Sequence, residues 1–334
     1  MHIVLLYKTI FTVIWMIITI SLTHTFVISS QFINKSNKFC QIAKESGNDL
    51  GVYILMNVLK ANILYSGNLK KKDKISVIIA NHPAALDFLY MGSLLNHFKI
   101  KDFFYTIRGN NIFKPKASFA LILSLDRDIK VYNNWEKDIN QFNKQLDNIN
   151  SGFVIIYPEG MNYSKDRYKK SLEFGKKNNI PIYKNLLIPR IKGTWYLIKY
   201  LKQNNKLDYV YDISFINEKF FNKKNSLFNS IKNDIGDVYS IIKNCEIPRN
   251  DNLNNYDNFK NWFFNEFWLE KDKRITNYKK LKYKNFKYKK NIFNYFILFF
   301  LIIIFIYLIK RFNYKYLIIS YLLCYLIVLY KYYN

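Results

Sequence analysis

Histidine and cysteine are both scarce in this chain of 334 residues, which has four of the first and three of the second. Cys40, Cys245 and Cys324 lie far apart, so neither a disulfide framework nor a zinc site is written into the sequence, and a reducing compartment is favoured. His2 and His24 belong to the N-terminal segment, which leaves His82 and His97 as the histidines placed for chemistry. Acidic residues are also few: 24 against 51 Lys and Arg, a net charge of +27. That excess calls for an anionic partner, phosphate lipid or nucleic acid, although abundant Asn, Lys, Ile, Tyr and Phe also fit AT-rich coding. No internal repeat is present, and no Gly-x-Ser-x-Gly elbow that would seat a hydrolase serine.

What is present falls into four zones. Residues 1–66 read as an N-terminal membrane anchor followed by an amphipathic helix. Residues 9–28 carry no Asp, Glu, Lys or Arg, enough to cross a hydrocarbon core of ~30 Å as a helix; the alternative, a signal peptide, has no clear small-residue cleavage site. Lys35, Lys38 and Lys44 follow and orient the downstream domain toward the cytosol. The apolar run 52–64, interrupted by Lys60, is predicted as a helix on the membrane surface or against the domain.

Residues 67–250 alternate strands with helices, the pattern of an α/β layered domain. Strands are predicted at 75–80, 153–157, 186–188 and 209–213, and helices at 83–95 and 135–149. Residues 251–290 read as a basic juxtamembrane linker. Lysines interleave with Tyr and Phe over 271–290, a mixture that suits an anionic leaflet, nucleic acid or a solvated linker; its place beside an apolar segment favours the leaflet, and no nucleic-acid partner is expected. Residues 291–334 hold two apolar runs, 292–309 and 316–330, joined by a basic turn, and are predicted as a C-terminal membrane hairpin.

Two short blocks bear chemistry. Asn81-His82-Pro83-Ala84-Ala85-Leu86-Asp87 sets a histidine five residues before an aspartate. Within one ideal helix those side chains diverge by about 140°. They meet if His82 lies outside the helix and Pro83 takes its first position; Asp87 then fixes the imidazole tautomer and the ring acts as a base. A surface histidine near a helix start is the plainer alternative. Tyr157-Pro158-Glu159-Gly160 closes a buried strand, where ligand sites of α/β sheets gather; an ordinary turn is the alternative there.

These blocks resemble those of the PlsC-like glycerolipid acyltransferases: NHxxxxD for residues 81–87 and (F/Y)PEG for residues 157–160. Ile107-Arg108 and Leu125-Asp126-Arg127 are similar to the intervening block. Residues 186–193, Leu-Leu-Ile-Pro-Arg-Ile-Lys-Gly, resemble the LLPRTKG-like block of the eukaryotic branch, that of the long 1-acylglycerol-3-phosphate and lysocardiolipin acyltransferases. The resemblance implies a glycerolphosphate-acyltransferase-like mixed sheet flanked by helices, and transfer of a fatty acyl group from acyl-CoA, as co-substrate, to a lysophospholipid hydroxyl. It implies His82 as general base and Asp87 as its partner. Glu159, Gly160, Arg108, Arg127, Arg190 and Lys192 are implied to bind substrate, with no metal and no cofactor. It points to an integral membrane protein of the endoplasmic reticulum, with mitochondria second and the catalytic domain cytosolic; no oligomeric state follows. Two positions depart from the pattern. Ala84 replaces a frequent serine, and Asn162 replaces the arginine expected to meet the acceptor's phosphate, for which Arg167 or Lys165 are nearby substitutes. A membrane hydrolase and an inactive scaffold of the same fold are the rival functions.

Overall fold

The computed structural model describes residues 48–49, 51–71, 73–108, 129–132, 134–219, 227–246 and 253–286. Among the described residues, eight strands form one sheet: β1 (Ala61–Ser66), β2 (Ile75–Ala80), β3 (Phe103–Arg108), β4 (Ile129–Val131), β5 (Gly152–Ile156), β6 (Leu207–Ile216), β7 (Gly236–Cys245) and β8 (Lys284–Asn285). Their order is β4-β3-β5-β2-β6-β7-β1-β8. The run from β4 to β6 is parallel, β6 and β7 are antiparallel, β7 and β1 parallel, and β1 and β8 antiparallel. The helices are α1 (Asp87–His97), α2 (Trp135–Asp147), α3 (Lys165–Lys177), α4 (Lys192–Gln203), α5 (Leu227–Lys232), α6 (Tyr256–Trp262) and α7 (Trp268–Thr276). The mixed sheet flanked by helices agrees with the expected α/β class.

Every residue of β2 is buried, as a central strand covered on both faces requires. Its side chains alternate between two cores. Ile78 and Ala80 face one with Leu89, Met91 and Leu94 of α1. Ile75, Val77 and Ile79 face the other with Leu197, Ile198 and Leu201 of α4. Each such aliphatic side chain is worth about 1.5–3 kcal/mol when fully buried.

This connectivity creates the site. The chain leaves β2 through α1 on one face and crosses to β3. It leaves β5 through α3 and α4 and crosses the other way to β6, with α4 on the opposite face. β2 and β5 are hydrogen-bonded neighbours, Ile79 opposite Ile156. Their carboxyl ends therefore part at a topological switch point, where open α/β sheets form a crevice.

Several predicted elements differ. The run 52–64 is not one helix: a π-helical turn, Ile54–Val58, stops before Lys60, whose φ of 54° no helix continues, and β1 begins at Ala61. Residues 186–188 are not a strand. Their amides go to side chains, Leu187 N to Glu159 and Ile188 N to Ser171 Oγ at 2.7 Å, so no ladder is made. Residues 253–286 are not a solvated linker. Phe259, Phe263 and Trp268 are fully buried against the sheet, and β8 pairs with β1. No helix among the described residues is long and apolar enough to cross a membrane. The spans predicted at 9–28, 292–309 and 316–330 lie outside the described residues.

Candidate active site

His82 and Glu159 stand at the carboxyl ends of β2 and β5. Helix α1 begins at Asp87, not at Pro83, and residues 83–86 form a turn. The cause is Asp87 itself. Its Oδ2 accepts from His82 Nδ1 at 2.5 Å and from Ala84 N at 3.3 Å, so the carboxylate closes a local turn that displaces the first helical residues. Ala84 N is a donor and already claims this oxygen, so Oδ2 acts as an acceptor and Nδ1 carries the shared hydrogen. The Nε2 lone pair is left to take a proton.

Asp87 is buried, whereas the His82 side chain keeps 28% of its surface. Burial by itself would lower the His82 pKa; the Asp87 charge and hydrogen bond, with Glu159 behind them, outweigh it and leave the imidazole above its ordinary value of 6.5. The ring lies 5.0 Å from that of Tyr157, whose hydroxyl is raised well above its usual range by burial and by the Asp87 charge.

Glu159 faces inward, with 3% of its surface exposed. One oxygen accepts from His82 N at 2.5 Å and the other from Leu187 N at 2.8 Å. Burial raises its carboxyl to about 7, against the pull of those two amides. Gly160 follows with φ +65°, a conformation that side-chain-bearing residues rarely adopt, and the Arg190 side chain packs over it. Arg190 N donates to Pro158 O at 2.7 Å, so the 186–193 block is stitched to the 157–160 block. Asn81 locks the base from behind: its amide donates to Phe215 O at 2.9 Å and accepts from Phe215 N at 2.8 Å on β6.

The structure thus gathers His82, Asp87, Glu159, Gly160 and Arg190. Lys192 is exposed at the start of α4 with its ammonium 4.2 Å from the Trp135 ring, and no contact among the described residues joins it to His82. Arg108 ends β3, and Arg127 lies outside the described residues. Arg167, in the first turn of α3, donates through Nη1 to Asn162 O at 2.7 Å and to the Asn162 side chain. Tyr163 N donates to His82 O at 2.8 Å, so the loop that this guanidinium grips at Asn162 is tied to the backbone of the base. Among the described residues, no group of three or more His, Cys, Asp and Glu is arranged to hold a metal ion.

No protein-family model matches the chain. Curated relatives do. A probable 1-acyl-sn-glycerol-3-phosphate acyltransferase 5 of Arabidopsis thaliana is 26% identical over 170 residues, covering 48% of this chain and 44% of the plant protein. Lysocardiolipin acyltransferase 1 of Gallus gallus is 25% identical over 169 residues, 49% of this chain and 44% of that protein. The chain resembles the PlsC-like glycerolipid acyltransferases of the eukaryotic branch. It spans about half the length of the acyltransferases it matches. The crystal structure of the 1-acyl-sn-glycerophosphate acyltransferase PlsC from Thermotoga maritima overlaps 86% of this chain and 97% of its own, at 12% identity and a TM-score of 0.49.

Proposed function

We propose that the chain is a lysophospholipid O-acyltransferase that uses acyl-CoA as donor and His82 as general base. The observation that carries this reading is the 2.5 Å contact between His82 Nδ1 and Asp87, set at the β2–β5 switch point with the imidazole still partly open. The acyltransferase relatives support the reaction class.

The reaction balances without a cofactor. Nε2 of His82 takes the proton from the acceptor hydroxyl as its oxygen forms a bond to the thioester carbonyl carbon. The tetrahedral centre then expels the CoA thiolate, which recovers the proton from the imidazolium. Asp87 stabilises that imidazolium; such a base contributes about 10²–10⁴-fold in rate. The thioester is already activated, so positioning and charge stabilisation supply the rest. Glu159 serves as a brace that fixes the His82 backbone. Arg190 and Arg167 flank the Gly160–Asn162 turn and supply positive charge for an anionic head group. Arg108, Arg127 and Lys192 are assigned weaker contacts to the substrates on the resemblance alone. The working surface is a phospholipid membrane with the site on its cytosolic side, in the endoplasmic reticulum ahead of mitochondria.

The test is a panel of lysophosphatidate, lysocardiolipin, lysophosphatidylinositol and lysophosphatidylethanolamine, each with labelled acyl-CoA and membranes holding the protein. Wild type acylates at least one acceptor, and His82→Ala lowers that rate by about 10³-fold. CoA release at full rate without acceptor identifies a hydrolase, and silence with every acceptor identifies a scaffold.

A further inference from the structure

The reaction above leaves several buried charges among the described residues without a role, and Lys271 is the most deeply buried of them. Lys271, in the middle of α7, has no exposed surface. Its ammonium donates to Ile213 O at 2.6 Å, to Ile79 O at 3.3 Å and to the Asp212 carboxylate, which also accepts from Arg274. Three acceptors converge on one nitrogen, and only the protonated form has three N–H groups to meet them. Burial brings this lysine down to about 7 even with the Glu159 charge acting against it, and the three acceptors are arranged for its protonated form. An apolar side chain would fill the same space without the desolvation cost, so packing alone does not account for the charge.

Its contacts point toward the base. Ile79 lies three residues before His82 on β2. The same helix reaches His82 by a second route. Trp268 Nε1 donates to Leu187 O at 3.0 Å, and Asp272 accepts from Lys184 N and Asn185 N at 2.7 Å each. Leu187 N donates in turn to Glu159, whose other oxygen holds His82 N. One helix therefore grips the strand under the base and the loop beside it.

We propose that Lys271 is a positioning residue for the His82 base, acting from α7 through the Ile79 carbonyl and, together with Trp268, through the Leu187–Glu159 bridge. This rests on the acyl-transfer reading of His82.

The experiment compares the full-length wild type with Lys271→Met and Lys271→Arg, by hydrogen exchange and by kinetics. In Lys271→Met, exchange of the His82 and Leu187 amides rises about tenfold or more, while peptides over α2 keep their protection. The kcat for acyl transfer falls about 10–100-fold with KM for both substrates within about twofold, because only the alignment of the base has changed. Lys271→Arg keeps the charge and recovers part of both. Unchanged protection at those two amides overturns the proposal, as does uniform loosening of the whole sheet. If Lys271→Met does not fold, Trp268→Phe removes the indole N–H together with part of the buried ring: exchange then rises at Leu187 and His82 while α2 stays protected, and its absence there, or loosening of the whole sheet, overturns the proposal equally. The exchange result decides the matter even if wild type transfers no acyl group, an outcome that would overturn the reaction and not the mechanical link.

Discussion

Two acid–base pairs stand at neighbouring strands of one sheet, and they differ in what they can reach. Asp87 and His82 meet at the end of β2, the carboxylate buried and the ring 28% exposed. Asp212 on β6 meets Lys271 with neither side chain more than 1% exposed. Both pairs carry buried charge, yet only the first has a nitrogen left over: His82 Nε2 is free of Asp87, whereas every N–H of Lys271 is assigned. A pair that keeps one site unassigned and open can exchange a proton with substrate. A pair that is sealed can only hold its neighbours still. Openness and residual bonding capacity, more than the presence of charge, separate chemistry from architecture here.

Breaking the open pair has the largest expected effect. Asp87→Asn removes the acceptor that fixes the tautomer, so turnover drops roughly 10²–10⁴-fold. The pH profile sharpens the point. His82 sits above 6.5 and Glu159 at about 7, and both must be deprotonated, one to accept a proton and the other to accept two amides. Wild-type kcat/KM therefore rises with pH as both groups lose their protons, and on the acid side of both the limb is steeper than one proton. In Asp87→Asn the histidine step moves to lower pH, so the two steps separate and the one at about 7 is left to Glu159 alone. A wild-type limb of unit slope would contradict this assignment.

Breaking the sealed pair acts on stability. Asp212→Asn leaves Lys271 and Arg274 facing a neutral group, an uncompensated charge that costs about 3–5 kcal/mol; Arg274, already lowered to about 10 by burial, has some exposure to relieve it. Denaturation midpoints check this. The smallest effect is at the lock between the two strands. Asn81→Ala removes two hydrogen bonds to Phe215 and leaves its backbone groups unpaired in the core, at about 1–3 kcal/mol. The same midpoint measurement should rank it below Asp212→Asn.

Much of the open pair was legible in sequence, and the sealed pair was not. β2 is a β-branched run whose bounds, Ile75–Ala80, match the reading, because a central strand needs no partner to declare itself. His82 and Asp87 meet as expected, but through a carboxylate-closed turn in place of a helix that starts at Pro83. Glu159 was read as a substrate contact, and its inward orientation depends on Leu187, which is 28 positions away. Residues 186–188 look like a strand since they are apolar; nothing local says that Glu159 and Ser171 take their amides. Lys271 was assigned to a membrane-facing basic stretch. One signal was available: Phe259, Phe263, Phe267 and Ile275 recur every four residues or a multiple of it, and Lys271 falls on that buried face. The partner that makes such a position tolerable, Asp212, is 59 residues away.

The first and last strands, β1 and β8, are hydrogen-bonded neighbours at one margin of the sheet, with β6 and β7 between them and β2. At about 4.8 Å per strand, that margin is roughly 14 Å from the strand that carries the imidazole. Tension applied at the carboxyl flank of the described chain, directly after β8, is thus taken up at the β1–β8 seam, in strands that contribute nothing to the crevice. The fold resembles a workbench clamped by one side: what pulls on the clamp does not have to disturb the work.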